Sequence, residues 1–167
     1  MTDEDGTNIK GSAVLTTGQV PWWDDRTGFS TNWHGWTGER PDIQALDWVL
    51  GRVDNGYTAT LQLGTIHGLF SSRSDSVRGT IDANWISEEV DVECHTWDAP
   101  GNAPRKEDVV YPNGVDRYLC SWDPDTEWDV QPDEYVAVSY RVPDGGHVFN
   151  TFDAAQGVYL PLVLRDY

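Results

Sequence analysis

The sequence predicts an all-β protein, a jelly roll or another β-sandwich or barrel of about 8–10 antiparallel strands, and three observations predict it. Alternation with a period of two recurs along the chain, and no stretch sustains the three-and-four apolar spacing of a helix. Turn residues separate the alternating runs, most clearly Asp54-Asn55-Gly56 and Pro143-Asp144-Gly145-Gly146. Nine Trp, seven Tyr and four Phe supply a core that a disordered acidic chain would lack. At 167 residues, with neither tandem repeats nor a linker, one domain spanning 1–167 is expected.

The first alternating run covers residues 9–16. Residues 41–48 are the best helical fragment and make barely two turns. Leu46, Trp48 and Leu50 then alternate toward a turn, and Tyr57, Ala59, Leu61 and Leu63 alternate away from it. Asn55-Gly56 between them predicts a hairpin with a type I′ turn, because Asn-Gly tolerates the positive φ angles that turn needs. Further strands are expected at 77–83, 90–97, 117–122, 134–142, 147–152 and 158–164.

Residues 16–42 break the pattern. They hold Trp22, Trp23, Phe29, Trp33 and Trp36 among Gly, Thr, Asn and Asp, with no clean period. An irregular segment of that length inside a small domain is uncommon and usually functional. Three uses fit: an arm that wraps its own barrel and closes one end of the core, a protein–protein interface, or a sugar platform. Trp22, Trp23, Trp33 and Trp36 would anchor the interface, with Arg26 and Arg40 as polar partners, since Trp and Arg dominate binding hot spots. On a sugar platform the indoles would stack on sugar rings, and Asp24, Asp25 and Asn32 would bond hydroxyls.

Charge sets the habitat and excludes partners. Twenty Asp and eight Glu stand against nine Arg and two Lys, giving a net charge of −17. Counterion release from nucleic acid needs a basic surface, so nucleic acid is excluded, and an anionic membrane is disfavoured on the same ground. An acidic, lysine-poor, aromatic-rich chain is expected from a salt-adapted source, an archaeon or an archaeal virus, where molar salt screens carboxylate repulsion to within about 3 Å. A GC-rich genome, favouring Arg over Lys, is the alternative origin. No apolar run reaches the roughly 20 residues of a membrane helix. The acidic start, Met1-Thr2-Asp3-Glu4-Asp5-Gly6, lacks a secretory n-region and h-region. If Met1 is the native start, the chain is expected to be made without a signal peptide.

Cys94 and Cys120 both fall in the apolar phase of strand candidates. A disulfide, a pair of buried thiols, and metal ligation with His95 are the alternatives; a bridge would imply an oxidising compartment or formation after release from a cell. Residues 123–134 place Asp123, Asp125, Glu127, Asp129, Gln131 and Glu134 at positions one, three, five, seven, nine and twelve, the spacing of an EF-hand Ca²⁺ loop. Trp128 stands where that loop wants glycine, and the flanks read as strands, so a solvated loop is the expectation. No nucleophile elbow, zinc-protease pair, C-x-x-C or phosphate loop is present, and no cofactor is called for.

The function expected from these features is non-enzymatic. It is that of a structural protein of a virion (a capsid component) or of a cell-surface assembly, acting through contacts with like or unlike protein subunits. A carbohydrate-binding or cell-surface β-sandwich and a small hydrolase are the alternatives.

Overall fold

Valine, isoleucine and aromatic residues stiffen the chain at χ1 and suit the half-buried surface of a pleated sheet, and every ladder they form here is antiparallel. A computed structural model of the protein describes residues 1–15, 18–19, 27–28, 36–97, 103–131, 133–143, 145–153 and 162–165. The chain divides into two compact units, Met1–Gln62 and Leu63–Asp166.

In the first unit β1 (Gly18–Gln19) pairs with β2 (Thr27–Gly28), and β3 (Trp48–Arg52) with β4 (Thr58–Gln62). The β3–β4 hairpin forms at the expected place with a different turn. Gly56 N–H donates to the Val53 carbonyl, and Val53 N–H donates to the Tyr57 carbonyl. Gly56 alone takes a positive φ, 89°, while Asn55 does not. The loop therefore has three residues, a type I turn followed by a left-handed glycine, in place of type I′. Asn55 contributes through its side chain, whose Oδ1 accepts the Tyr57 N–H at 2.9 Å.

Residues 9–15 form no strand, only isolated bridges of Ile9 with Thr2 and of Ala13 with Trp36. The reason is the missing apolar face: Ile9 and Val14 are exposed, and the buried position is Gly11, set against the ring of Pro41. Residues 41–47 form no helix. Buried Asp47 accepts the Gln44 N–H at 2.8 Å and pairs with Lys10 at 2.7 Å, which closes a turn with Leu46 at a φ of 72°.

The second unit holds eight strands among the described residues: β5 (Thr65–Ser71), β6 (Ser76–Asp82), β7 (Val90–Trp97), β8 (Lys106–Val110), β9 (Asn113–Ser121), β10 (Tyr135–Arg141), β11 (Gly146–Asp153) and β12 (Leu162–Arg165). One sheet runs β5-β6-β9, and the other β12-β11-β10-β7-β8. The unit is a β-sandwich. Its order is that of an immunoglobulin-type Greek key without the D strand, with β12 added at one edge. A jelly roll, built from eight strands in two Greek keys, has a different order.

The inner faces carry the core: Ile66, Val77, Ile81, Val92, Tyr118, Val136, Val138, Tyr140, Val148 and Phe152 are all buried. Burying a side chain such as valine contributes roughly 1.5–3 kcal/mol. A disulfide joins Cys94 of β7 to Cys120 of β9 and so ties one sheet to the other; both residues are wholly buried. Two tyrosine hydroxyls that the core must satisfy find backbone partners. Tyr140 Oη accepts the Gly64 N–H, and Tyr118 Oη donates to the His67 carbonyl, both at 2.9 Å. Burial drives the pKa of both phenols well above the ordinary tyrosine value.

Space for the Tyr118 phenol comes from two glycines. Gly68 and Gly79 stand opposite each other in the β5–β6 ladder, and Gly79 also pairs with Tyr118 itself. A Cβ on Gly68 would lie 2.8 Å from Tyr118 Oη and from the Phe152 ring.

The β5–β6 turn anchors the following loop. Asp75, buried and at a φ of 43°, accepts the Val130 N–H on its carboxylate and the Trp122 N–H on its carbonyl, both at 2.8 Å. Asp75→Ala is expected to cost about 2–3 kcal/mol, because it removes a charge-assisted bond to a buried N–H and leaves a methyl-bearing residue in left-handed backbone. Asp75→Asn keeps the backbone preference and an acceptor and should cost about 1 kcal/mol or less. Urea midpoints of the two variants check this.

The free edge of β9 carries N–H groups already taken by side chains. Asp108 Oδ2, on β8, accepts the Leu119 N–H at 2.8 Å, and Asp116 Oδ1 accepts the Arg117 N–H at 2.9 Å.

Candidate functional site

Alternation on β5, β6 and β9 sends Ile66, Val77, Tyr118 and Cys120 inward, and the opposite phase of the same strands faces out. That outer face is where the sequence departs from an ordinary solvated surface. Register places Leu69, Arg78 and Leu119 in one row across the three strands, and His67, Thr80 and Arg117 in the next. Leu69 is 69% exposed, Leu119 56%, and Val115, further along β9, 78%.

Strands in a sheet lie about 4.8 Å apart, so two leucines with an arginine between them form one contiguous patch. Isolated exposed leucines need no explanation, but contiguous ones do. Among the described residues Lys10 pairs with Asp47, Lys106 with Glu127 and Arg105 with Glu93, whereas Arg78 and Arg117, like Arg52, Arg73 and Arg141, enter no ion pair. In a chain of net charge −17, this mixed face sets two guanidinium groups beside exposed leucines, with Asp82 as the acid of its outward rows.

The other sheet presents a shallow depression of about 480 Å³ on its outer face, lined by Asp91 and Glu93 of β7, Glu107 and Val109 of β8, and Ser139, Arg141 and His147 beyond them. Register sets Asp91 opposite Val109 and Glu93 opposite Glu107. Glu93 is held by Arg105 at 3.1 Å and lies 3.8 Å from His95 Nδ1. Burial lowers the pKa of His95, with Glu93 opposing and Arg105 adding to that effect. Asp91 and Glu107 have no ion-pair partner among the described residues.

Of the residues the sequence singled out, Trp36 is half-buried beside Ala13 and Arg40 is exposed. Trp22, Trp23, Arg26 and Trp33, with Asp24, Asp25 and Asn32, lie outside the described residues, as does most of segment 16–42. The structure joins Cys94 and Cys120 as a disulfide, so the pair is neither two thiols nor a metal site.

The EF-hand-like spacing does not become a Ca²⁺ cage. Asp123 accepts the Asp125 N–H at 3.0 Å and the Thr126 hydroxyl at 2.8 Å, while Glu127 accepts the Asp123 N–H at 2.9 Å and binds Lys106 with its other oxygen. Glu134 accepts from Trp128 Nε1 and the Gln131 N–H, both at 3.1 Å. The carboxylates cap their own turn in the manner of an N-cap, and no three acids, histidines or cysteines among the described residues converge on a common point. Hydrogen bonds from Thr126 and Asp125 lower the Asp123 pKa, and the bond from Lys106 lowers that of Glu127.

Sequence reasoning missed Leu69, Arg78, Val115, Arg117 and Leu119. A usable sign was present in residues 115–121, where Val115 and Leu119 occupy the phase opposite to Tyr118 and Cys120, so both faces of one strand carry apolar residues. The chain matches no known family, no curated protein and no solved structure among those it was compared with.

Proposed function

We propose that the protein is a non-enzymatic structural subunit of a virion or cell-surface assembly from a salt-adapted source, acting through protein–protein contacts. The observation that carries this reading is the outer face of β5-β6-β9, where exposed Leu69 and Leu119 bracket Arg78 and no described residue neutralises Arg78 or Arg117. Exposed leucines beside arginines on an acidic chain, ringed by His67, Thr80 and the Ser71, Ser76 and Ser121 row, resemble the apolar, Arg-containing centre and polar rim of an interface. Salt adaptation and that face fit together. Molar salt confines charge attraction to about 3 Å, so a contact that works there needs apolar area and directly touching ion pairs.

The test is a pair of substitutions. Leu69→Ser with Leu119→Ser should abolish association with other subunits, whether copies of this chain or its native partners, and leave the melting temperature of the monomer within about 2 °C, since both side chains are already in water. Unchanged association would overturn the reading. Thermal melts address the habitat: the midpoint in about 3 M KCl should exceed that in about 0.1 M KCl, because self-repulsion among the carboxylates is then screened. Equal midpoints would remove salt adaptation from the proposal.

A further inference from the structure

We infer that the second unit stacks head to tail with further copies of itself, the outer face of β5-β6-β9 in one copy seated on the depression in the β7–β8 side of the other sheet in the next. This rests on the assembly reading above and names its partner surface. The two faces lie on opposite sides of one sandwich, so the contact is heterologous, and repetition of it builds a ring or an open filament.

The argument is complementarity of charge and shape within a single unit. One face offers Arg78 between Leu69 and Leu119, with Arg117 in the next row. The opposite sheet offers a concave site edged on its β7–β8 side by Asp91, Glu93 and Glu107, with half-exposed Val109 beside them and Arg141 and His147 on its far side. A guanidinium is planar, presents paired N–H donors to a carboxylate, and is weakly hydrated, so it tolerates burial at an interface better than an ammonium does. Asp91 and Glu107 are the carboxylates left to receive it, since Glu93 already binds Arg105. Val109 supplies apolar surface for the leucines. A two-fold contact of the β5-β6-β9 face with itself would gather Arg78 and Arg117 of both copies in one interface, and like charges juxtaposed there cost several kcal/mol. An unrelated acidic protein could also occupy the face, but this chain carries the complementary concave site on its own opposite side.

Sedimentation velocity of charge-reversed variants in about 1 M KCl tests the stack. Arg78→Glu with Arg117→Glu should weaken self-association at least tenfold, and Asp91→Arg with Glu107→Arg should do the same, each with an unchanged monomer melt. Combining all four substitutions in one chain should restore association to within a few-fold of the parent, because the pairs are then reversed together. Arg78→Gln with Glu107→Gln provides a milder pair in which both charges vanish, with an intermediate affinity expected. Three outcomes overturn the stack: a parent that stays monomeric at all concentrations, association untouched by reversal on the β7–β8 side, or a fourfold variant that stays monomeric while the parent associates. The last two leave the assembly reading standing and discard only the partner surface. A parent that stays monomeric while Leu69→Ser with Leu119→Ser still abolishes capture of an unlike native subunit likewise confines the failure to the stack.

Discussion

Replacing Cys94 and Cys120 together by alanine is expected to lower the stability of the folded chain by about 3.5 kcal/mol. The bridge spans 26 residues, and the chain-entropy relation for a loop of that size gives this magnitude. Its position should make the loss cooperative, because the bond joins β7 of one sheet to β9 of the other. Both sulfur positions are wholly buried, so the alanines also leave unfilled space on the inner faces. In urea the midpoint should fall while the slope rises, since the unbridged unfolded chain is less compact. Thiol titration of the denatured parent should find no reactive thiol before reduction and two after it. A parent whose urea midpoint is insensitive to reductant would contradict the inter-sheet bond.

Gly79→Ala is the other substitution with a large expected effect. A Cβ there would stand 1.7 Å from the His67 carbonyl oxygen and 2.7 Å from Tyr118 Oη. The first obstacle is backbone in the facing strand and cannot rotate away, so the β5–β6 ladder itself must open. Overpacking of ordinary kind costs about 1–3 kcal/mol, and a clash with fixed backbone belongs at or above the top of that range. Gly68→Ala meets the Tyr118 hydroxyl and the Phe152 ring instead, which can shift, and should cost less. Tyr118→Phe loses only the bond to His67 and should cost about 1 kcal/mol. Thermal or urea unfolding of the three variants ranks them; a Gly79→Ala protein as stable as the parent would mean that the two strands are not paired in this register.

Reading the sequence by its periodicity recovers much of the sandwich, and the elements it loses share physical causes. Residues 76–82 and 90–97 alternate plainly because one face is buried and the other largely wet, while 135–141 and 146–153 keep the period through Val136, Val138, Tyr140, Val148 and Phe152 although Ala137 and Phe149 in the other phase are buried too. Residues 65–71 give no clear period because Gly68 takes the inward position that an apolar side chain would mark, the Tyr118 phenol of the same sheet filling that space. Residues 106–110 show no apolar alternation because this edge strand buries only Val110, while Lys106, Glu107 and Asp108 remain at the surface. Residues 9–15 alternated and still made no strand, since period without burial has nothing to hold it. The candidate site was hidden for a related reason. Leu69 and Arg78 face each other across one hairpin, but Leu119 comes from a strand much later in the chain, and only strand register sets the three side by side. The acidic run from 123 to 134 shows the converse, a spacing readable in sequence that the backbone spends on its own turn.

The aspartates seated on the N–H groups of Leu119 and Arg117 have a bearing on how this protein fails when concentrated. An unguarded strand edge is a template on which a foreign strand can add and grow cross-β fibres. Here an incoming strand must first displace carboxylate acceptors, each bond worth about 1.5–3 kcal/mol, and bring its backbone past their negative charge. Addition along that edge is therefore disfavoured, while approach onto the sheet faces is not. Protein driven from solution by salt should come down as native molecules that redissolve on dilution, keep their far-ultraviolet spectrum and bind no amyloid dye.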